Sequence, residues 1–280
     1  MKGLRLAWAI ALGGLLGLVN GFALAREVCR AHSPAHRVAL VELYSSEGCN
    51  SCPPADRWLS RLRDGGPSER VVPLELHVDY WNSLGWTDRF SQHRFTERQE
   101  RLAAYADDHL TYTPEVFVAG RELRDWGAAG FDARVSELVA QPPQADVSIR
   151  LEPAEPAAAG QASAAAAAAK AGTLGIDAQF TARSTAPQRL NAYVAVYENQ
   201  LDSRIGAGEN RGAMLHHDRV VREWLGPVPL VGGLARIHRE FALTADASDA
   251  VPYGRFGVAA FVEDAANGDV LQAVDLAACH

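Results

Sequence analysis

The chain has little cysteine, no excess of positive charge and no long apolar run beyond its first two dozen residues. Only four cysteines occur in 280 residues. One pair alone has Cys-x-x-Cys spacing, so a zinc site built from two such pairs is excluded. Basic residues number 27 against 34 acidic ones, a net charge of -7. That balance argues against nucleic acid as a partner. No internal repeat is visible. The glycine-rich stretch at 206–212 neither follows a strand nor opens a helix, so it is not a phosphate loop.

Residues 1–25 have the three parts of an export signal. Lys2 and Arg5 form a basic start, Leu6 to Val19 an apolar core, and Ala23-Leu24-Ala25 a small-x-small cleavage site. The core is shorter than the ~20 residues a membrane span needs. The expectation is a cleaved signal and a periplasmic or secreted mature chain that does not stay at the membrane. Cleavage leaves 25 basic residues against 34 acidic ones, a net charge of -9. Disulfides persist in such a compartment. Cys29 and Cys279 stand near the two mature ends. They are read as a structural disulfide tying the termini, with two free thiols or links between chains as the other readings.

The stretch from Val38 to Leu62 carries the chemistry. Val38 to Tyr44 is an apolar run, a polar turn follows, and Cys49 and Cys52 come just before an amphipathic segment with Trp58, Leu59 and Leu62. Strand, turn, Cys-x-x-Cys, helix is the layout of a redox dithiol. A cysteine at a helix start faces unpaired N–H groups and the positive end of the dipole, which favours thiolate. Pro53 and Pro54 suit a first turn. Cys49 is therefore expected to be the more exposed, attacking sulfur and Cys52 the resolving one. Glu47 stands close by and opposes ionisation of Cys49.

Val71 to Asp79 reads as a buried parallel strand with His77 near its C-terminal end. Trp81 and Trp86 lie in an aromatic loop, as groove walls or as ordinary packing. Thr87-Asp88 is read as the cap of a helix from Arg89 to about Asp107. Thr113-Pro114 leads into a strand, and a helix over Phe131–Ala140 ends at Gln141-Pro142-Pro143, which marks a domain boundary. Beyond it 147–151 and 174–180 alternate, and 190–197, 220–224, 236–243, 255–262 and 270–276 read as further strands. Asn267-Gly268-Asp269 is a hairpin turn. An alanine-rich stretch near 153–172 is expected to be a mobile loop. The polar stretch at 198–217 is read as a surface loop or as a cover over the dithiol. It ends in His216-His217, neighbours that cannot share one strand face.

The motifs E-L-Y-S-S-E-G-C-N-S-C-P-P-A-D, H-V-D-Y-W and Y-T-P-E-V-F-V-A-G-R together resemble the thioredoxin superfamily. More closely they resemble the secreted thioredoxin-like family catalogued as domain of unknown function 1223. The resemblance, strongest from about Arg37 to Ala140, implies an α/β, thioredoxin-like domain over 26–143, and the strand and turn pattern of 144–280 reads as an antiparallel, immunoglobulin-like β-sandwich. The resemblance also implies a cis Pro114 against the two sulfurs, with Thr113 offering its backbone to substrate. Gly48 and Asn50-Ser51 depart from the usual thioredoxin residues. The expected function is thiol–disulfide exchange at Cys49, Cys52 and Pro114 on protein or small-molecule thiols. Thr113, Trp81 and Trp86 would lie along the substrate, and no cofactor is required. Two alternatives stand beside it: a copper carrier using Cys49, Cys52 and His77, and a non-catalytic binding module.

Overall fold

The structure is a computed structural model. It describes residues 28–279 except 65–68, 108, 155–171, 185–188 and 244–252. The expected signal segment, and all but the edges of the alanine-rich stretch, lie outside the described residues.

Three helices and fourteen strands are described. The first half supplies β1 (Cys29–His32), β2 (Ala39–Ser45), α1 (Pro53–Asp64), β3 (Val71–His77), α2 (His93–Ala104), β4 (Glu115–Val118), β5 (Arg121–Glu122) and α3 (Ala129–Val139). The described residues of the second half supply no α-helix and nine strands: β6 (Ala145–Ala154), β7 (Gly172–Ala182), β8 (Leu190–Glu198), β9 (Leu201–Arg204), β10 (Met214–His217), β11 (Val220–Pro229), β12 (Leu234–Leu243), β13 (Phe256–Asp264) and β14 (Val270–Ala277). Among the described residues no helix is long and apolar enough to cross a membrane.

The expected fold class is corrected here. The described residues are 46% strand and 19% helix, and the strands do not divide into an α/β domain and a separate sandwich. One eight-stranded sheet runs β14-β13-β8-β11-β3-β2-β4-β5, taking four strands from each half of the chain. The joint is parallel: Val220 of β11 pairs with Glu75 of β3, and the Glu75 N–H donates to the Arg219 carbonyl at 2.9 Å. The remaining strands of the expected sandwich go elsewhere. β6, β7 and β12 join the N-terminal β1 in a four-stranded sheet, and β9 with β10 forms a separate hairpin. The physical reason is that β3 presents an unpaired edge, whose N–H and C=O groups need partners. Hydrophobic pattern says which faces are buried but not which edge a later strand will take.

The large sheet is covered on both faces, and the sequence of its strands records that. In β8, Tyr193, Ala195 and Tyr197 face a core shared with α1, α2 and α3. The alternate residues Ala192, Val194 and Val196 face a second core against the four-stranded sheet. β13 divides the same way, Ala259 and Phe261 against Val258, Ala260 and Val262. Apolar residues at successive positions are what double burial demands, because neighbours point to opposite faces.

Two further ties cross the halves. Arg98 of α2 is buried and forks onto Glu42 of β2 at 2.6 and 3.1 Å, and it reaches Glu263 of β13 at 2.9 Å. The turn after β4 meets the β13–β14 turn so closely that a Cβ on Gly120 would stand 1.9 Å from the Gly268 carbonyl oxygen. Gly120 also has φ +83, where glycine is favoured.

Candidate functional site

The dithiol sits where β2 ends and α1 begins. Cys49 and Cys52 are joined by a disulfide with Cα atoms 5.5 Å apart. The Cys52 carbonyl accepts from the N–H groups of Ala55 and Asp56, so Cys52 opens the helix, and Pro53 and Pro54 fill its first turn. The Thr113–Pro114 peptide is cis, and the Thr113 carbonyl oxygen lies 3.7 Å from Cys49 Sγ. The segment before β4 therefore lies against the disulfide. Cys29 and Cys279 form the other disulfide, with a Cα separation of 6.0 Å.

Burial departs from expectation. Cys49 is 1% exposed and Cys52 0%, so Cys49 is not an open sulfur. The connection between β9 and β10 lies over it. Asn210 donates from Nδ2 to the carbonyls of both Glu47 and Cys49 at 2.9 Å, and Glu209 accepts from the Asn50 N–H at 3.1 Å. Trp86 supports that cover. A Cβ on Gly206 or Gly208 would come within 3.2 or 3.1 Å of its side chain, and its Nε1–H donates to Glu47 at 2.7 Å. Trp81 is half-buried against Gly48 and the helical-side core, with no partner for its Nε1.

Beside the dithiol lies a buried cluster that the motifs did not announce. His77 Nδ1 is 2.6 Å from Asp88 Oδ2, and its Nε2 is 2.9 Å from Glu75 Oε1. Both ring nitrogens are thus committed to carboxylates. Asp88 was expected to cap the following helix. Instead it accepts from the N–H groups of Glu47 and Phe90 while facing His77, and the helix begins later, after Gln92. His217 Nδ1 is 3.0 Å from the same Glu75 oxygen and 3.8 Å from Asp56 Oδ2. Its Nε2 has no partner and stands 4.0 Å from Glu47 Oε1, which has none either. Asp56 Oδ1 accepts from Ser45 at 2.8 Å.

The alternation of β10 explains the histidine pair. His216 points out and meets Asp202 at the surface, while His217 points in. Glu75 and His77 sit two apart on β3, hence on one face. That i, i+2 pair of polar residues in an apolar strand was the available signal.

The charges in this cluster are strongly coupled. Burial lowers the pKa of His77, but Asp88 and Glu75 outweigh it and hold His77 well above the ordinary imidazole value. Burial also lowers His217, and Glu75 overrides it upward. Burial would raise Glu75, yet His217 and His77 pull it down to about 2. Asp56 is pushed up to about 7, first by burial and then by the charge of Glu75. Glu75, His77 and His217 each offer a ligand atom, all within 4.8 Å of one another.

The fold and site define a mostly β protein with a covered disulfide at a helix start and a buried His–carboxylate cluster next to it. The chain belongs to the family described as "Protein of unknown function (DUF1223)", which matches residues 40–263. It is similar in fold to a crystal structure of protein AGR_C_4864 from Agrobacterium tumefaciens. The two are 22% identical with a TM-score of 0.55, over 86% of this chain and 94% of that one. It is also similar to HBP35 of Porphyromonas gingivalis at 16% identity and a TM-score of 0.60, over 88% of this chain and 76% of that one. No curated protein matches it.

Proposed function

We propose that the protein is an exported thiol–disulfide oxidoreductase whose working group is Cys49–Cys52, acting on protein or small-molecule thiols. The observation that carries this reading is the disulfide at the start of α1, with the Thr113 carbonyl 3.7 Å from Cys49 Sγ. A disulfide at a helix N-terminus has a leaving thiolate that the backbone N–H groups stabilise. Thr113 and Pro114 would position the substrate beside Cys49, and Trp86 would hold the cover. Both disulfides suit an oxidising compartment, which fits export.

The exchange is balanced as follows. A substrate thiolate attacks Cys49 Sγ, forms a mixed disulfide, and releases Cys52 as thiolate. A second substrate thiolate then attacks the substrate sulfur and releases Cys49. The substrate leaves oxidised, two electrons stay on Cys49 and Cys52, and the two substrate protons pass to the cysteines or solvent. Reduction of a substrate is the same sequence reversed. Both routes require Cys49 Sγ to be uncovered, and the 205–213 connection, bonded to the backbone of Glu47, Cys49 and Asn50, is the segment that would lift.

Trapping tests the assignment. Cys52→Ser is expected to accumulate mixed disulfides through Cys49 in an oxidising compartment, and Cys49→Ser to accumulate few. Equal trapping by the two variants would overturn the roles. A Cys49–Cys52 bond that resists thiols in the folded protein would remove the activity altogether.

A further inference from the structure

We propose that Glu75, His77 and His217 form a binding site for one divalent metal ion of the zinc class. The site is separate from the dithiol and does not depend on its redox role. Two imidazoles approach a single oxygen, Glu75 Oε1, at 2.9 and 3.0 Å. Tetrahedral zinc with bonds of 2.0–2.1 Å spaces its ligand atoms about 3.3 Å apart. The three ligand atoms lie within 4.8 Å of one another, and they would draw toward that spacing around the ion.

The outer partners fit the same reading. Zinc-bound histidines turn their second nitrogen to a carboxylate, which fixes the tautomer. Behind His77 stands Asp88 at 2.6 Å, itself held by two backbone N–H groups. Behind His217 Nε2 stands Glu47 Oε1 at 4.0 Å. Each imidazole thus has one nitrogen on Glu75 and one facing a second carboxylate.

Three buried atoms of this cluster have no hydrogen-bond partner: Glu75 Oε2, Glu47 Oε1 and His217 Nε2. Leaving such groups unpaired is costly; an ion on His217 Nδ1 would fix the ring proton on Nε2, facing Glu47 Oε1, and Glu75 Oε2 could share the ion. Nitrogen donors disfavour magnesium and calcium, and the absence of thiolate in the oxidised protein disfavours Cu(I).

The test uses the full chain in its oxidised form, stripped with EDTA and titrated with Zn2+, then with Co2+ as a spectroscopic substitute. One equivalent per chain is expected, with the visible absorption of tetrahedral Co2+ and no thiolate charge-transfer band. Cys49→Ser/Cys52→Ser is expected to bind equally, as is His216→Ala, whose ring faces solvent. Glu75→Gln and His217→Ala should each lose the stoichiometric equivalent, and Asp88→Asn should weaken binding about 10–100-fold. A folded His217→Ala protein that keeps its zinc overturns the proposal, and so does wild-type protein that takes up none. If the ligand variants do not fold, zinc-edge X-ray absorption of the wild type decides. A nitrogen and oxygen shell with imidazole scattering supports the site, and sulfur in the shell overturns it.

Discussion

Arg98 carries a full charge into the core between α2 and the large sheet. It is 1% exposed, and its partners Glu42 and Glu263 are 0% and 2% exposed. The guanidinium also lies over the rings of Trp224, Tyr193 and Phe261, 4.8–5.4 Å from their centroids. Replacing such a pair by packed apolar groups is often neutral, but removing one partner strands the others. Arg98→Met is therefore expected to cost about 3–5 kcal/mol, read as a lower midpoint in urea. Adding Glu42→Gln and Glu263→Gln should recover part of the loss. A triple variant no better than Arg98→Met would show that the arginine acts by shape and not by charge.

The connection between β9 and β10 is the element that decides access to the dithiol. It is built largely from exposed residues around Gly206, Gly208 and Gly212, is closed by its own backbone hydrogen bonds, and is tied to the dithiol turn by Asn210 and Glu209. A surface segment with few anchors opens at lower free energy than the sheet beneath it. Asn210→Ala removes two hydrogen bonds worth about 0.5–1.5 kcal/mol each. It should speed reduction of Cys49–Cys52 by dithiothreitol roughly tenfold, since 1.4 kcal/mol is a factor of ten, with global stability little changed. An unchanged rate would mean that this cover does not limit access.

At the scale of the whole molecule, the eight-stranded sheet makes the two halves one cooperative unit. Denaturation should give a single transition, with tryptophan fluorescence and far-UV circular dichroism coinciding. Two separated transitions would mean that the β3–β11 joint is weak enough for the halves to unfold apart. The Cys29–Cys279 bond closes a loop with a sequence separation of 250. In the chain-entropy model a loop that long contributes about 5 kcal/mol, an upper figure. Cys29→Ser/Cys279→Ser should lower the urea midpoint accordingly while leaving the Cys49–Cys52 exchange rate unchanged. Loss of the exchange as well would tie the terminal disulfide to the site.

The sequence alone determined the local pieces, because short-range physics is written in adjacent residues. Cys-x-x-Cys with two prolines behind it set a disulfide at a helix start, Asn267-Gly268-Asp269 set the β13–β14 hairpin, and alternation set His216 and His217 on opposite faces. Apolar residues at consecutive positions in β8 and β13 are the trace of burial on both faces, but on sequence alone they read as strands of a separate sandwich. Tertiary structure decided the rest. Which strand completes the edge of β3, which loop lies on Cys49, and which carboxylates meet His77 and His217 all depend on contacts between residues far apart in the chain. Glu75 and His217 lie 142 positions apart, and nothing local in either segment selects the other. Backbone edges will accept any strand that reaches them in register, so that choice belongs to the packing of the whole chain.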